Sequence, residues 1–187
     1  LFNNPIIFDL PLEMSTIKVP SDNFGLAEIA SGFNKKTLIS PLHATLLAAV
    51  AVNQGEMPTP WLVDSIQNDA GDVVYNADPG VLNTAVSSQT ATDLKALMQD
   101  AVRYGTSRKA FRRLRRKRLF KKFELGAKTG TINDRSDRFK YDWIIAFAVN
   151  SEESDGICVG ILAVHGKLLG TRATELARAI IDYHFSS

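Results

Sequence analysis

The 187-residue sequence holds a single cysteine, Cys158, so no disulfide can form within the chain. Cys158 stands in an apolar run and is expected to pack as a small hydrophobe, which leaves the redox compartment open. No apolar stretch approaches the roughly 20 residues of a membrane-crossing helix. The histidines, His43, His165 and His184, lie far apart with no Cys or carboxylate at metal-ligand spacing, so no metal site is expected. The carboxylates from Asp134 to Asp142 lack the glycine and ligand spacing of a calcium loop. An initiator Met and a charged-then-apolar targeting segment are both missing ahead of Leu1-Phe2-Asn3, so the length reads as part of something longer. What is present is ordinary globular composition, 45% hydrophobic and 22% charged, which argues against disorder across the bulk of the chain.

Acidic residues are absent from one segment. From Arg108 to Lys122, 10 of 15 residues are Lys or Arg, while the rest of the chain has 12 basic and 20 acidic residues. The formal net charge of +2 therefore conceals an acidic body that carries one concentrated basic segment.

The N-terminal stretch to Asn34, rich in Asn, Pro and Ser, reads as a mostly extended connection. Ser40 then offers a helix N-cap with Pro41 at the first helical position, where its missing N–H costs nothing. The helix from His43 to Val52 is apolar nearly all round, which predicts burial, and Asn53-Gln54-Gly55 ends it. Trp61–Gln67 and Val73–Tyr75 read as a hairpin joined by Asp69-Ala70-Gly71. A second helix carries Leu94, Leu97, Met98, Ala101 and Val102 on one face and closes at Gly105. Strands are predicted over Phe123–Thr131, Trp143–Val149 and Ile157–Val164, the last two apolar at consecutive positions, as central strands covered on both faces are. A final helix, capped by Thr171, would bury Ala173, Leu176, Ala177, Ile180 and Ile181. The order predicts a mixed α/β (α+β) fold, a largely antiparallel sheet flanked by helices, with no internal repeat and no domain break.

The stretch with most chemistry is Lys128-Thr129-Gly130-Thr131 on the first of these three strands. It sets an ammonium and a hydroxyl beside a residue without a side chain: Gly130 allows close approach to the backbone, and Lys128 and Thr129 can hold an anion such as a carboxylate. A nucleotide-binding P-loop is excluded, because Ala127, not Gly, precedes the lysine and the context is a strand.

Blocks around this motif resemble the transpeptidase domain of penicillin-binding proteins. Ile39-Ser40-Pro41-Leu42-His43 with its alanine-rich helix, Asn53-Gln54-Gly55-Glu56-Met57 and Thr59-Pro60-Trp61-Leu62-Val63 are similar to the late helix region of that family. Ala101-Val102-Arg103-Tyr104-Gly105-Thr106 resembles the segment before its Lys-Thr-Gly strand, and Tyr141 to Ala148 the neighbouring strand. The resemblance covers most of the chain after about Asp9 and implies a β-lactamase/transpeptidase-like fold. It also implies a Ser-x-x-Lys and a Ser-Asp-Asn motif. Ser15-Thr16-Ile17-Lys18 and Ser21-Asp22-Asn23 match as letters only, since Val19-Pro20 stops any helix and the two stand too close together. Residues 1–187 are thus expected to be the C-terminal part of one transpeptidase domain, with the nucleophilic serine upstream of Leu1 and this chain inactive alone.

By the same resemblance, Lys128, Thr129 and Gly130 would form the binding strand for a peptidoglycan stem peptide or a β-lactam. Thr131 would add its hydroxyl there and its backbone N–H to the oxyanion hole. Ala127 stands where the family usually has Gly. No cofactor is implied, and the location would be extracytoplasmic. A catalytically inactive scaffold and a D-Ala carboxypeptidase share the motifs. The basic segment Arg108–Lys122 is read first as a solvated insertion without fixed structure and second as a contact for an anionic surface, lipid or wall polymer. Nucleic-acid binding is the remote third reading and is not expected, because it leaves the strand motifs unexplained and the acidic body would repel a polyanion.

Overall fold

Successive residues of the segment Ile144-Ile145-Ala146-Phe147-Ala148 have no polar face to offer water, so the strand they form must be covered on both sides. The computed structural model describes residues 1–150, 152–153 and 155–186. Its elements run α1 (Asn23–Ser31), α2 (Pro41–Val52), β1 (Glu56–Pro58), β2 (Ser65–Gln67), β3 (Val73–Asn76), β4 (Val81–Thr84), α3 (Ser88–Arg103) and α4 (Arg108–Arg116). A 3-10 turn (Leu119–Lys122) leads into β5 (Glu124–Asn133), β6 (Lys140–Asn150), β7 (Asp155–His165) and α5 (Ala173–Ser186). β5, β6 and β7 form one antiparallel sheet with β6 in the middle, and its pairing with β5 runs unbroken from Glu124↔Val149 to Asn133↔Lys140. The predicted fold class and the three long strands are thus observed, but of the two expected to be central only β6 is, since β7 lies at the edge of the sheet.

The two faces of the sheet have different covers. Ile144, Ala146 and Ala148 of β6 pack with Leu125 and Ala127 of β5 against Ala173, Ala177 and Ile181 of α5. Phe147, on the opposite face, meets Ala48 and Ala51 of α2 and Met98 of α3, with half-buried Cys158 against the same cluster. Burial pushes the Cys158 thiol up to about 11, so it is a packing residue and not a nucleophile. α2 lies so close to β7 that a Cβ on Gly160 would stand 2.2 Å from Thr45 Oγ1. α2 begins as predicted, with Ser40 Oγ accepting the His43 N–H (3.2 Å) and Pro41 in the first turn.

Several local expectations are corrected. The N-terminal stretch is not all extended: Asp22 Oδ1 accepts the Gly25 N–H (2.8 Å), and Gly32, at φ +72°, closes the one helix between them, α1. The hairpin is shorter than expected, because the Leu62 and Val63 amides donate to Asp9 Oδ2 (2.6 and 3.1 Å) instead of entering a strand. The short pair β1–β4 went unseen in the sequence. α5 starts at Ala173, two residues after the expected cap Thr171, and it buries Ala173, Ala177 and Ile181 while Leu176 and Ile180 stay partly exposed.

The main correction concerns the basic segment. It is neither unstructured nor wholly solvated: Phe111 and Leu114 of α4 are fully buried, and Phe120 nearly so, in the cluster shared by β5, β6 and α5. Lys117, just after α4, pairs with Asp182 of α5 and ties the two helices together. The interleaved apolar residues recur at Phe111 and Leu114 with the cations filling the remaining arc, which is an amphipathic helix. Phe111→Ala is therefore expected to cost about 3–5 kcal/mol in urea denaturation, and Arg112→Ala less than about 0.5 kcal/mol. Equal small effects from both would mean that α4 is not part of the core.

Candidate functional site

β5 is an edge strand, with β6 on one side and no strand on the other among the described residues. The pleat sends alternate side chains to opposite faces. Lys128 and Gly130 share the α2 face with Ile145 and Trp143, their partners across the ladder, whereas Thr129 and Thr131 pair with Ile144 and Asp142 on the other face. The four predicted residues thus sit in line along an open strand edge, but their side chains do not converge on one face. Lys128 is exposed, and its Nζ donates to the Thr129 carbonyl (2.7 Å) without a carboxylate partner among the described residues. Thr129 Oγ1 lies 2.9 Å from Thr106 Oγ1, in the turn between α3 and α4. Thr131 is exposed at the end of this row.

Glycine at 130 is not demanded by packing. An added Cβ would meet Trp143 Cβ at an ordinary 3.5 Å, whereas at Gly126 it would fall 2.2 Å from the Phe147 ring. Ala127 is fully buried on the α5 face opposite Ala146, and β5 keeps regular register through it. A cavity of about 430 Å³ is lined by all four motif residues together with Phe2, Leu47 and Trp143, and two more flank it. One of about 620 Å³ places Lys128 beside His43, Leu47, Met98 and Ile145. The other, about 670 Å³, lies between the end of β5 (Thr131, Ile132, Asn133) and α1 with its following loop (Ile29, Phe33, Lys35). This second wall was missed in the sequence, where α1 was read as loop. Thr106 was also missed as an individual contact, although the block containing it was singled out.

The two short motifs near the N-terminus have other local uses. Thr16 forms an isolated antiparallel bridge with Leu38, so Ser15 to Lys18 is extended chain and not one turn of a helix. Buried Ser15 Oγ accepts the Ser40 N–H (3.1 Å) at the start of α2. Asp22 is the cap of α1. Among the histidines, His43 is buried with Nδ1 unpartnered, and burial lowers its pKa. His184 is exposed and stands edge-on to Phe185 at 4.6 Å. Asp134 spends its carboxylate on the Phe139 N–H and on Ser136 within the β5–β6 turn, which holds its pKa at about 2. No group of three or more His, Cys, Asp or Glu able to hold a metal ion is found among the described residues.

A buried ionic clamp closes the end of the sheet beside Thr131. Asp142, 1% exposed, takes two hydrogen bonds from Arg172 (Nε 2.6 Å, Nη2 3.1 Å) and one from the Ala173 N–H (3.0 Å). It therefore caps α5 from a neighbouring strand, the role expected of Thr171. His165 accepts the Gly170 N–H on Nδ1 (3.2 Å), which leaves its proton on Nε2, 3.6 Å from Asp142 Oδ2. Burial opposes ionisation of Asp142, but the Arg172 guanidinium and the Ala173 amide outweigh it and hold its pKa below the usual carboxylate range. Because the folded-state value is depressed below the unfolded one of about 3.9, this stabilisation is complete well above that pH and is lost as pH falls through the folded-state value. Arg172→Ala is expected to cost about 2–4 kcal/mol at neutral pH, less than in a wholly buried pair because Arg172 is half in solvent. Urea denaturation near pH 3, where Asp142 of the variant is protonated, should show the gap to wild type narrowing, and a gap independent of pH would refute the clamp.

The chain matches the sequence profile "Penicillin binding protein transpeptidase domain" over residues 2–182. No curated protein matches it. Among solved structures, penicillin-binding protein A from M. tuberculosis, as its imipenem acyl-enzyme complex, superposes with a TM-score of 0.74 at 24% identity, covering 94% of this chain and 37% of that one. The D,D-transpeptidase domain of a peptidoglycan glycosyltransferase from Eggerthella lenta gives 0.71 at 22% identity, covering 99% and 44%. Penicillin-binding protein 2B from Streptococcus pneumoniae gives 0.64 at 20%, covering 95% and 29%. These likenesses establish the fold, and the chain spans less than half the length of each structure. With a profile matched along almost its whole length and this fold, the chain belongs to the penicillin-binding protein transpeptidase domain family.

Proposed function

We propose that this chain supplies the substrate-binding strand of an extracytoplasmic serine D,D-transpeptidase that cross-links peptidoglycan stem peptides. The observation that carries the reading is the state of Lys128-Thr129-Gly130-Thr131: a cation with no carboxylate partner among the described residues, beside a glycine that packing does not require, on a strand edge lined by cavities.

In this reading the stem peptide lies along the free edge of β5, in the manner of an added strand. Lys128 and Thr129, on either side of that edge, hold the terminal carboxylate, and Thr131 contributes its hydroxyl. Gly130 lets the peptide approach the backbone. The nucleophilic serine comes from a part of the domain outside this chain. It attacks the D-Ala–D-Ala carbonyl, and the oxyanion accepts hydrogen bonds that include the Thr131 N–H. The terminal D-Ala leaves, and an amine of a second stem takes the acyl group. A β-lactam enters the same position and stays on the serine. The Thr106–Thr129 contact holds the threonine against the α3–α4 turn, making Thr106 a positioning residue.

In the complete protein, Lys128→Ala should slow acylation by a fluorescent penicillin about 10–100-fold, the loss of one charge-assisted contact. Gly130→Val should do at least as much without lowering thermal stability. The 187-residue chain by itself should show no labelled band after denaturing electrophoresis. Labelling of the isolated chain would overturn the split of the site, and undiminished acylation of the Lys128 variant would overturn the role of the strand.

A further inference from the structure

The cations of α4 do nothing for its own fold. Of the ten in the segment, Lys117 pairs with Asp182 and Lys122 with Glu152; the other eight have no carboxylate partner among the described residues. Arg108–Arg112, Lys109–Arg113 and Arg112–Arg116 are like-charge pairs one turn apart, which destabilise a helix. Arg108 and Lys109 occupy the first turn, where the helix dipole disfavours positive charge, and no side chain caps that end. The helix exists because Phe111 and Leu114 are buried against the core. A charge array kept at a cost to local stability, and left unneutralised, points to a partner.

We propose that the exposed face of α4, with Lys109, Arg112, Arg113 and Arg116 at its centre, docks the protein on an anionic phospholipid bilayer. The inference stands independently of the transferase reading. Three observations favour a lipid surface over a soluble polyanion. The face is the convex side of a helix, which meets a plane of headgroups and offers no groove to a strand. Phe111 and Phe120, the aromatics of the segment, are buried, so the basic segment itself offers no ring on which bases could stack. The remainder of the chain carries an excess of acidic residues. On a plane the protein can turn that excess away, and screening over a Debye length of about 10 Å weakens the repulsion. A flexible polymer wrapping the body would meet it.

The contact is electrostatic adsorption without insertion, since the apolar side chains of α4 are already committed to the core. α4 starts two residues after Thr106, which touches Thr129, so docking also sets how the Lys128–Thr131 edge stands relative to the bilayer.

The test is co-sedimentation of the complete transpeptidase domain that contains this chain with vesicles of phosphatidylcholine containing about 30% phosphatidylglycerol, or none, in roughly 0.1 M salt. Binding is expected to the anionic vesicles alone and to disappear near 0.5 M salt. K109Q/R112Q/R113Q/R116Q should weaken it by at least about 100-fold, since each cation near such a surface is worth about fivefold. R112K/R113K/R116K, which keeps the charge, should bind within about threefold of wild type. The lysine variant should unfold thermally with wild type, and the glutamine variant at the same temperature or slightly above it, because the substituted side chains lie outside the core and the glutamines relieve the like-charge pairs. Equal binding to neutral vesicles, no change in the glutamine variant, or displacement from the anionic vesicles by polyphosphate at equal phosphate concentration would each overturn the proposal, the last by assigning the face to a soluble polyanion.

Discussion

β6 is apolar on both faces, and the rest of the molecule is arranged to keep water from it. Ile144, Ala146 and Ala148 require a cover on one side, which α5 provides, and Phe147 requires one on the other, which α2 and α3 provide. Each large apolar side chain so buried stabilises by about 1.5–3 kcal/mol relative to exposure, which exceeds the preference of any single turn or cap. A slip of β5 by one residue would turn Ala127 out of the α5 face and force Lys128 into it. The unbroken register of β5 on β6 is therefore what places Lys128 to Thr131, residue by residue, along an outer edge. The candidate site is positioned by the most deeply buried strand of the fold, although it is itself at the surface.

The same sheet has to end somewhere, and it ends on a charge. Asp142 faces the layer of Ile144 and Ala146, where an isolated carboxylate could not stay ionised. Arg172 and the first amide of α5 give it partners, and in doing so attach the start of the C-terminal helix to the strand next to Thr131. A hydrophobic interface would hold α5 against the sheet without specifying its start; three directed hydrogen bonds to one carboxylate specify it. The apolar layer supplies the stabilisation and the ionic clamp supplies the register.

The features legible in the sequence are those governed by local rules. The Ser40-Pro41 cap, the nearly all-apolar α2, the three long strands and the end of α2 at Asn53-Gln54-Gly55 each follow from residue type and spacing, and each is observed. The features misread depend on partners far along the chain. Asp142 capping α5 is invisible locally, so Thr171 looked like the cap. α1 is short and leaves Phe24 and Leu26 exposed, so it lacks the periodic stripe that marks a buried helix. In the basic segment net charge obscured a four-residue pattern, Phe111 and Leu114 in one turn, whose burial only α5 and β5 make possible. For the candidate site, the row of residues was readable, but its splitting between two faces of a strand, the Thr106 contact and the wall formed by α1 were not.

Short motifs mislead for a related physical reason: they state spacing, whereas chemistry requires conformation. A serine and a lysine three positions apart face the same way only on a helix; at Ser15 and Lys18 the chain is extended, and the serine serves the amide of Ser40. Ser21-Asp22-Asn23 is a good helix start because the small polar side chain that can cap an amide is the kind also found in catalytic loops. Lys128-Thr129-Gly130 differs in that its local structure leaves all three without a structural task sufficient to explain them: the lysine has no carboxylate partner among the described residues, the glycine has room for a side chain, and the threonine's bond reaches another threonine at the rim. The same test separates the halves of α4. Its apolar residues are accounted for by the core, and its cations by nothing inside the described molecule. Charge and packing there are carried by different side chains, so either can be removed while the other is left in place.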